Sequence, residues 1–204
     1  MYIPKGDRVS LAKLLMKTIY LTITGHAQNG KDTVAEMLSE ELKHKGHSVC
    51  IIHYADILKF VCKQYLYWDG NKDEKGRTLL QKVGTDIVRK RAPNLWVDFV
   101  GQLLMCLDGT WDFVIIPDTR FPNEIDRLKI FGINPITVRV TRENFVSPLT
   151  KEQQNHPSET ALDNVSMDVT ITNSGTLEDL KEDVMQLAKL LSPEPKETLN
   201  LDVV

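Results

Sequence analysis

The stretch Lys17–Thr33, KTIYLTITGHAQNGKDT, decides how this chain is read. Ile19 to Ile23 is apolar and rich in β-branched residues, which suits a buried strand. Gly25 and Gly30 then bound a loop, Lys31 follows, and a helical pattern begins. Strand, glycine-bounded loop, lysine and helix start, in that order, make the context of a phosphate-binding P-loop. The glycines let successive N–H groups converge on one concavity at a helix N-terminus, where phosphate oxygens are held. Lys31 adds a mobile positive charge for the β- and γ-phosphates of a nucleotide. The usual hydroxyl residue after the lysine is replaced by Asp32, with Thr33 next. Either can touch a metal ion or its water shell. The bland alternative, a turn with an accidental lysine, does not explain the strand before it and the amphipathic helix after it.

The remaining composition is that of one α/β domain. A chain of 204 residues can bury a sizeable core. A formal net charge of −3 speaks against general binding to nucleic acid or to a membrane surface. Cys50, Cys62 and Cys106 are far apart, so reduced core thiols are expected rather than a disulfide framework or a zinc site. There is no apolar run of about 18 residues and no signal-peptide pattern, which points to an intracellular, cytoplasmic protein. Residues 1–16 read as an extension before the domain, with Met16 an alternative start. Residues 17–192 read as a single domain and residues 193–204 as a loose tail.

Helices and strands alternate along the domain. Val34, Ala35, Leu38 and Leu42 share a helical face, and Gly46 stops that helix. Val49–Tyr54, Phe113–Pro117, Pro135–Val140 and Val169–Thr172 read as four further strands. Alternation of this kind predicts a parallel sheet covered by helices. In such sheets ligands sit at the carboxyl ends of the strands. Asp56 and Lys59 follow the second strand, and Asp118 and Arg120 follow the third, so all four are candidate cleft residues.

Residues 56–109 read as a mostly helical region. Gly84 interrupts its periodicity, which hints at a close approach, and Arg89 opens a basic cluster suited to a phosphate. Trp96 reads as a packing residue at core spacing. About twenty polar residues without clear periodicity, 141–164, read as a lid or a disordered loop. This segment holds Arg142, Lys151, His156 and Glu159. Thr176 with Asp179 resembles a capping box before a long amphipathic helix.

Taken in order, GHAQNGKDT (25–33), YADILK (54–59), LLQKVGTDIVR (79–89), IIPDTRFPNE (115–124), RVTR (139–142), HPSETAL (156–162) and ITNSGTLEDL (171–180) resemble the phage-type deoxynucleoside monophosphate kinases. The resemblance runs from about Lys17 to Leu191, and Asp32 after the lysine is similar to that family's own loop. It implies the three-layer α/β sandwich of P-loop NTPases, with a five-stranded parallel sheet, a helical acceptor-binding region (about 56–109) and a lid. It also implies the reaction ATP + dNMP = ADP + dNDP with ATP and Mg²⁺, in the cytoplasm of an infected bacterium.

The roles implied by the resemblance are specific. Gly25, Ala27, Asn29, Gly30 and Lys31 would hold the ATP phosphates, with Asn173 near the adenine. Asp32, Thr33 and Asp118 would organise Mg²⁺. Asp56, Lys59, Arg89, Trp96 and Arg120 would face the acceptor. Arg142, or Arg139 in another register, would neutralise the transferred group as the lid closes. The partners are small molecules, with no nucleic acid and no membrane; a homodimer is allowed, since oligomeric state is not readable from the sequence.

Three other readings stay open. One is a different P-loop small-molecule kinase, similar to dephospho-coenzyme A kinase or phosphomevalonate kinase. Another is a kinase for a modified pyrimidine such as 5-hydroxymethyl-dUMP. The third is a non-enzymatic nucleotide-binding module.

Overall fold

The computed structural model describes residues 18–192. The extension expected over residues 1–16 and the tail expected over 193–204 lie outside the described residues. Five strands form one sheet: β1 (Ile19–Thr24), β2 (Val49–Ile51), β3 (Phe113–Ile116), β4 (Ile136–Thr141) and β5 (Val169–Thr172). Their spatial order is β2-β3-β1-β4-β5, and every pair is parallel. The register sets Ile19 beside Phe113 and Leu21 beside Ile136. Chain order therefore reverses around β1, and the loop after β1 opens into the crevice where open α/β sheets bind ligands.

Helices cover both faces. They are α1 (Lys31–His44), α2 (Ala55–Tyr65), α3 (Glu74–Gln81), α4 (Leu95–Cys106), α5 (Pro122–Asp126), α6 (Lys151–Gln154), α7 (Pro157–Thr160) and α8 (Leu177–Leu191). α3 runs on into a π-helix at Lys82–Arg89, and α5 into a 3₁₀ turn at Arg127–Phe131. Strand residues alternate between two cores, which is why the strands read as continuous apolar runs. Leu21, Ile23, Phe113 and Ile115 pack with Val34, Leu38 and Leu42 of α1 and with Leu180, Val184 and Leu187 of α8. Tyr20, Val114 and Ile116 pack on the other face with Val97, Val100 and Leu104 of α4 and with Leu58 and Cys62 of α2. Each of these large aliphatic side chains contributes roughly 1.5–3 kcal/mol by leaving water.

The local signals act as expected. Thr176 caps α8, its hydroxyl accepting the Asp179 N–H at 3.2 Å. Gly46, at φ +88°, follows the end of α1. The second strand is shorter than expected, because the chain turns after Ile51 and enters α2 at Ala55. The three thiols are free, but only Cys62 is buried; Cys106 is exposed, which corrects the expectation of core cysteines. The region expected to be irregular from 141 to 164 contains α6 and α7. Its order comes partly from Gln153, whose amide donates to Thr78 Oγ1 at 3.2 Å on α3. No described helix is long and apolar enough to cross a membrane.

Candidate active site

The loop from Gly25 to Gly30 is held open by its neighbours. Gly25 sits at φ +145°, and a Cβ there would overlap the Val140 carbonyl oxygen on β4. Gly30 precedes α1 at φ +98°, and a Cβ there would lie 2.6 Å from Asn173 Nδ2. Asn173 donates to the Asn29 carbonyl at 2.9 Å, and Asn29 Nδ2 donates to the Val140 carbonyl at 3.2 Å. Glycine is required at both positions, because an L side chain is strained at such φ values and finds no room. Asn173, expected beside an adenine, acts in this structure as a buttress of the loop.

Lys31 begins α1 and is buried. Its ammonium donates to the carbonyls of Gly25 at 2.7 Å and His26 at 2.8 Å. Burial pushes its pKa down to about 7, and the Arg120 charge pushes the same way; Glu159, Asp32 and Asp118 oppose them. An anion entering the loop would reverse that shift, since an opposite charge favours the protonated amine. Asp32 lies 3.5 Å from His53 Nε2. That contact is the largest influence on each, lowering the aspartate and raising the histidine.

One cleft of about 680 Å³ opens at the carboxyl ends of the strands. Ala27, Gly30, Lys31, Asp32 and Thr33 border it from the loop and α1. Lys59, Arg89 and Trp96 border it from the helical region, and Asp118 and Arg120 from the end of β3. Among the expected site residues, Gly25, Asn29, Asp56, Arg142 and Asn173 do not border it. Asp56 instead pairs with Lys59 at 2.9 Å. Arg142 is exposed and lies over the Phe145 ring, 4.6 Å from its centroid. Arg139 donates to the carbonyls of Leu162 and Val165 at 2.7 and 2.6 Å. Two arginines thus meet the lid segment, Arg139 at Leu162 and Arg120 at Ser158 and Glu159, while Arg142 faces Phe145.

A network behind the cleft fixes its arginines. Glu124, on α5, is 2% exposed at the side chain and lies 2.5 Å from Arg89 Nη2. Its other oxygen accepts the Arg120 N–H at 2.6 Å and the Phe121 N–H at 3.0 Å. Burial pushes the Glu124 carboxyl up, while the Arg89 charge and these two amides pull it back. Tyr54 donates its hydroxyl to the Glu124 carbonyl at 2.8 Å, and burial raises its pKa well above the usual value. Arg89 stacks on Phe121 at 3.9 Å, and its buried Nε has no partner among the described residues. Asp118 accepts the Tyr54 and Ala55 N–H groups, each at 2.9 Å, and so fixes the start of α2. Trp96 donates its indole N–H to the Gly84 carbonyl at 3.1 Å, and the close approach at Gly84, expected from a ligand or another backbone, is made instead by the Leu58 side chain.

Two site residues carried no role in the sequence reading. Glu124 stood only as the last residue of the block IIPDTRFPNE, although an acid two residues after Pro122 is a cap signal. Glu159 stood only as a member of the lid segment. Its Oε2 accepts the Ala27 N–H at 2.8 Å and its Oε1 pairs with Arg120 Nη1.

A parallel α/β sandwich whose first strand feeds a glycine-bounded loop and a lysine at a helix start has the architecture of the P-loop class, and Arg89 and Arg120 border the same cleft as that lysine. Residues 50–184 match the family model described as Deoxynucleotide monophosphate kinase, and the chain belongs to that family. The Deoxynucleotide monophosphate kinase of Enterobacteria phage T4 is 32% identical over 117 residues, 56% of this chain and 46% of the relative. The aligned stretch thus spans about half of that relative's length. Among solved structures, the protein named APE1195 gives a TM-score of 0.48 at 13% identity, covering 87% of this chain and 96% of that one. APS kinase CysC of Mycobacterium tuberculosis, solved with AMPPNP and APS, gives 0.46 at 13% identity, covering 86% and 98%.

Proposed function

We propose that the protein transfers the γ-phosphoryl group of ATP to a deoxynucleoside 5′-monophosphate, giving ADP and the diphosphate. One observation carries the reading: a single cleft joins the loop lysine, Lys31, to Arg89 and Arg120 on separate elements. A switch that only binds a nucleotide has no use for the two further arginines. In this reading Gly30, Lys31 and the first amides of α1 hold the donor phosphates. Arg89 and Arg120 receive the acceptor phosphate. The placement of Arg89 supports this, because Glu124, Asn123 and the Pro93 carbonyl hold its guanidinium at the cleft wall.

Mg²⁺ fits the residues present. Among the described residues there is no cluster of three or more acidic, His or Cys side chains able to cage a metal. Mg²⁺ beside a nucleotide needs no such cage, since it keeps several waters and binds substrate phosphates with one or two carboxylates. Asp32, Thr33 and Asp118 border the cleft and would hold its water shell. When bound, the ion supplies neutralisation of phosphate charge. The chain's own residues then have two tasks, alignment and charge stabilisation. No general base is required, because the acceptor is already a phosphate oxyanion.

The base end is assigned to the wall made by α3 and the π-helix that continues it, where Arg77, Gln81 and Thr85 border the cleft. A single hydrogen bond there can decide between bases. The host bacterial cytoplasm as the site of action belongs to the same proposal. The test is a coupled ADP-release assay with ATP and Mg²⁺ against dAMP, dGMP, dCMP, dTMP, dUMP, 5-hydroxymethyl-dUMP, ribonucleotides, dephospho-coenzyme A and phosphomevalonate. Turnover with one or more deoxynucleotides is expected. Turnover only with a non-nucleotide acceptor, or none at all with ATP bound, overturns the assignment.

A further inference from the structure

The Glu159 side chain is only 6% exposed, yet it is an acid carried on a four-residue helix of the lid segment. It is ringed by groups that the functional reading gives to phosphate. The Ala27 amide of the loop donates to it at 2.8 Å, and Arg120 Nη1 pairs with its other oxygen. The Lys31 ammonium lies close enough to feel its charge. A carboxylate and a phosphate make the same demands here, since both are oxyanions that accept from amides and guanidinium groups. A buried carboxylate is tolerated only where such partners compensate it.

We propose that the Glu159 carboxylate is an internal occupant of the phosphate site, keeping the Ala27 amide and Arg120 ordered and withdrawing when a substrate phosphate arrives. The inference rests on the assignment of the loop and Arg120 to phosphate. The segment that carries Glu159 is anchored on either side, by Gln153 to Thr78 and by the Leu162 carbonyl to Arg139, so the withdrawal is a swing of the Glu159 side chain. Around Glu159 the segment also meets the cleft through two histidine–carboxylate contacts, His26–Asp163 at 2.7 Å and His156–Asp86 at 3.4 Å. Both have well-exposed carboxylates, and exposed pairs are weak. Glu159 would therefore protect the cation cluster from self-repulsion while no nucleotide is bound. It would also set a threshold that a phosphate must exceed to enter.

The test is calorimetric titration of the full-length chain with tripolyphosphate and, separately, with ADP. Wild type is compared with Glu159→Gln, which keeps the shape and loses the charge, and with Glu159→Ala. Thermal melting confirms that each variant is folded. Removing the competing charge is expected to tighten tripolyphosphate binding by roughly tenfold, the scale of one charge-assisted hydrogen bond. Unchanged or weaker binding in both variants overturns the proposal and makes Glu159 a fixed support for Arg120. Tighter tripolyphosphate binding in a protein that phosphorylates no deoxynucleotide would leave this inference standing and remove the acceptor assignment. Deoxynucleotide turnover with unchanged tripolyphosphate binding would do the reverse.

Discussion

Lys31→Met removes the loop ammonium and keeps most of its stem. In the folded chain the Lys31 pKa is depressed to about 7. In the unfolded chain an ordinary lysine titrates near 10.4. The unfolded state therefore binds more protons above pH 7, and the Lys31 contribution to stability rises with pH. Between pH 7 and pH 9 the unfolded chain keeps this proton while the folded chain loses the last half of it. At 1.36 kcal/mol per unit, that difference integrates to about 2 kcal/mol. The assay is urea unfolding of wild type and Lys31→Met at pH 7, 8 and 9 without nucleotide. Other titrating groups cancel in the difference, so wild-type stability should gain about 2 kcal/mol on the variant across this window. A flat difference would refute the reasoning, because Lys31 would then keep an ordinary pKa and its acidic neighbours would already compensate its burial. A gain of the predicted size has a corollary: ADP binding at pH 8 should take up protons, measurable as a difference in binding heat between Tris and HEPES.

Three further outcomes follow from the geometry. Arg120→Ala should lower turnover on the order of 10³-fold, as expected for a phosphate-directed arginine, with ADP affinity in calorimetry changed far less; unchanged turnover would return Arg120 to a structural role. Glu124→Ala should cost about 3–5 kcal/mol in chemical unfolding, because the Arg89 guanidinium and two amides lose their buried partner, and a loss below that of an exposed pair would contradict its place in the network. Gly25→Ala should destabilise by about 2 kcal/mol or more, through the strained φ of +145° and overlap with Val140, while Gly46→Ala, with open space around it, should lose less; circular-dichroism melts of the pair check the order.

The sheet and the phosphate loop were legible because their signals are local. Five apolar runs, the paired glycines and the capping residues of α8 lie within short windows, and β5 occupies the residues expected for it. The cleft was legible only in part. The strand-end rule pointed to Lys59, Asp118 and Arg120, which border the cleft, and to Asp56, which does not; Lys31 came from the glycine loop and Arg89 from its basic cluster. Glu124 and Glu159 were not found, because their meaning lies in partners distant along the chain; Ala27 and Glu159 are 132 residues apart. Arg142 drew attention as a cation in an irregular stretch, but the sequence does not show that Phe145 lies beneath it. The bond from Asn173 to the Asn29 carbonyl was not readable either, since the crowding against Gly30 exists only once β5 lies beside β4.

The π-helix Lys82–Arg89 has a consequence in terms of insertions and deletions. Its backbone bonds from i to i+5, so it holds more residues per turn than the α-helix leading into it. Removing one residue between Lys82 and Arg89 would let the segment relax to α-winding and would turn the guanidinium away from Glu124 and Phe121. The polar loop Asp69–Asp73, just upstream, is tied to the same wall, since Asp73 caps α3 and Lys72 borders the cleft. The residue count after α3 is therefore held fixed by the aim of a single arginine.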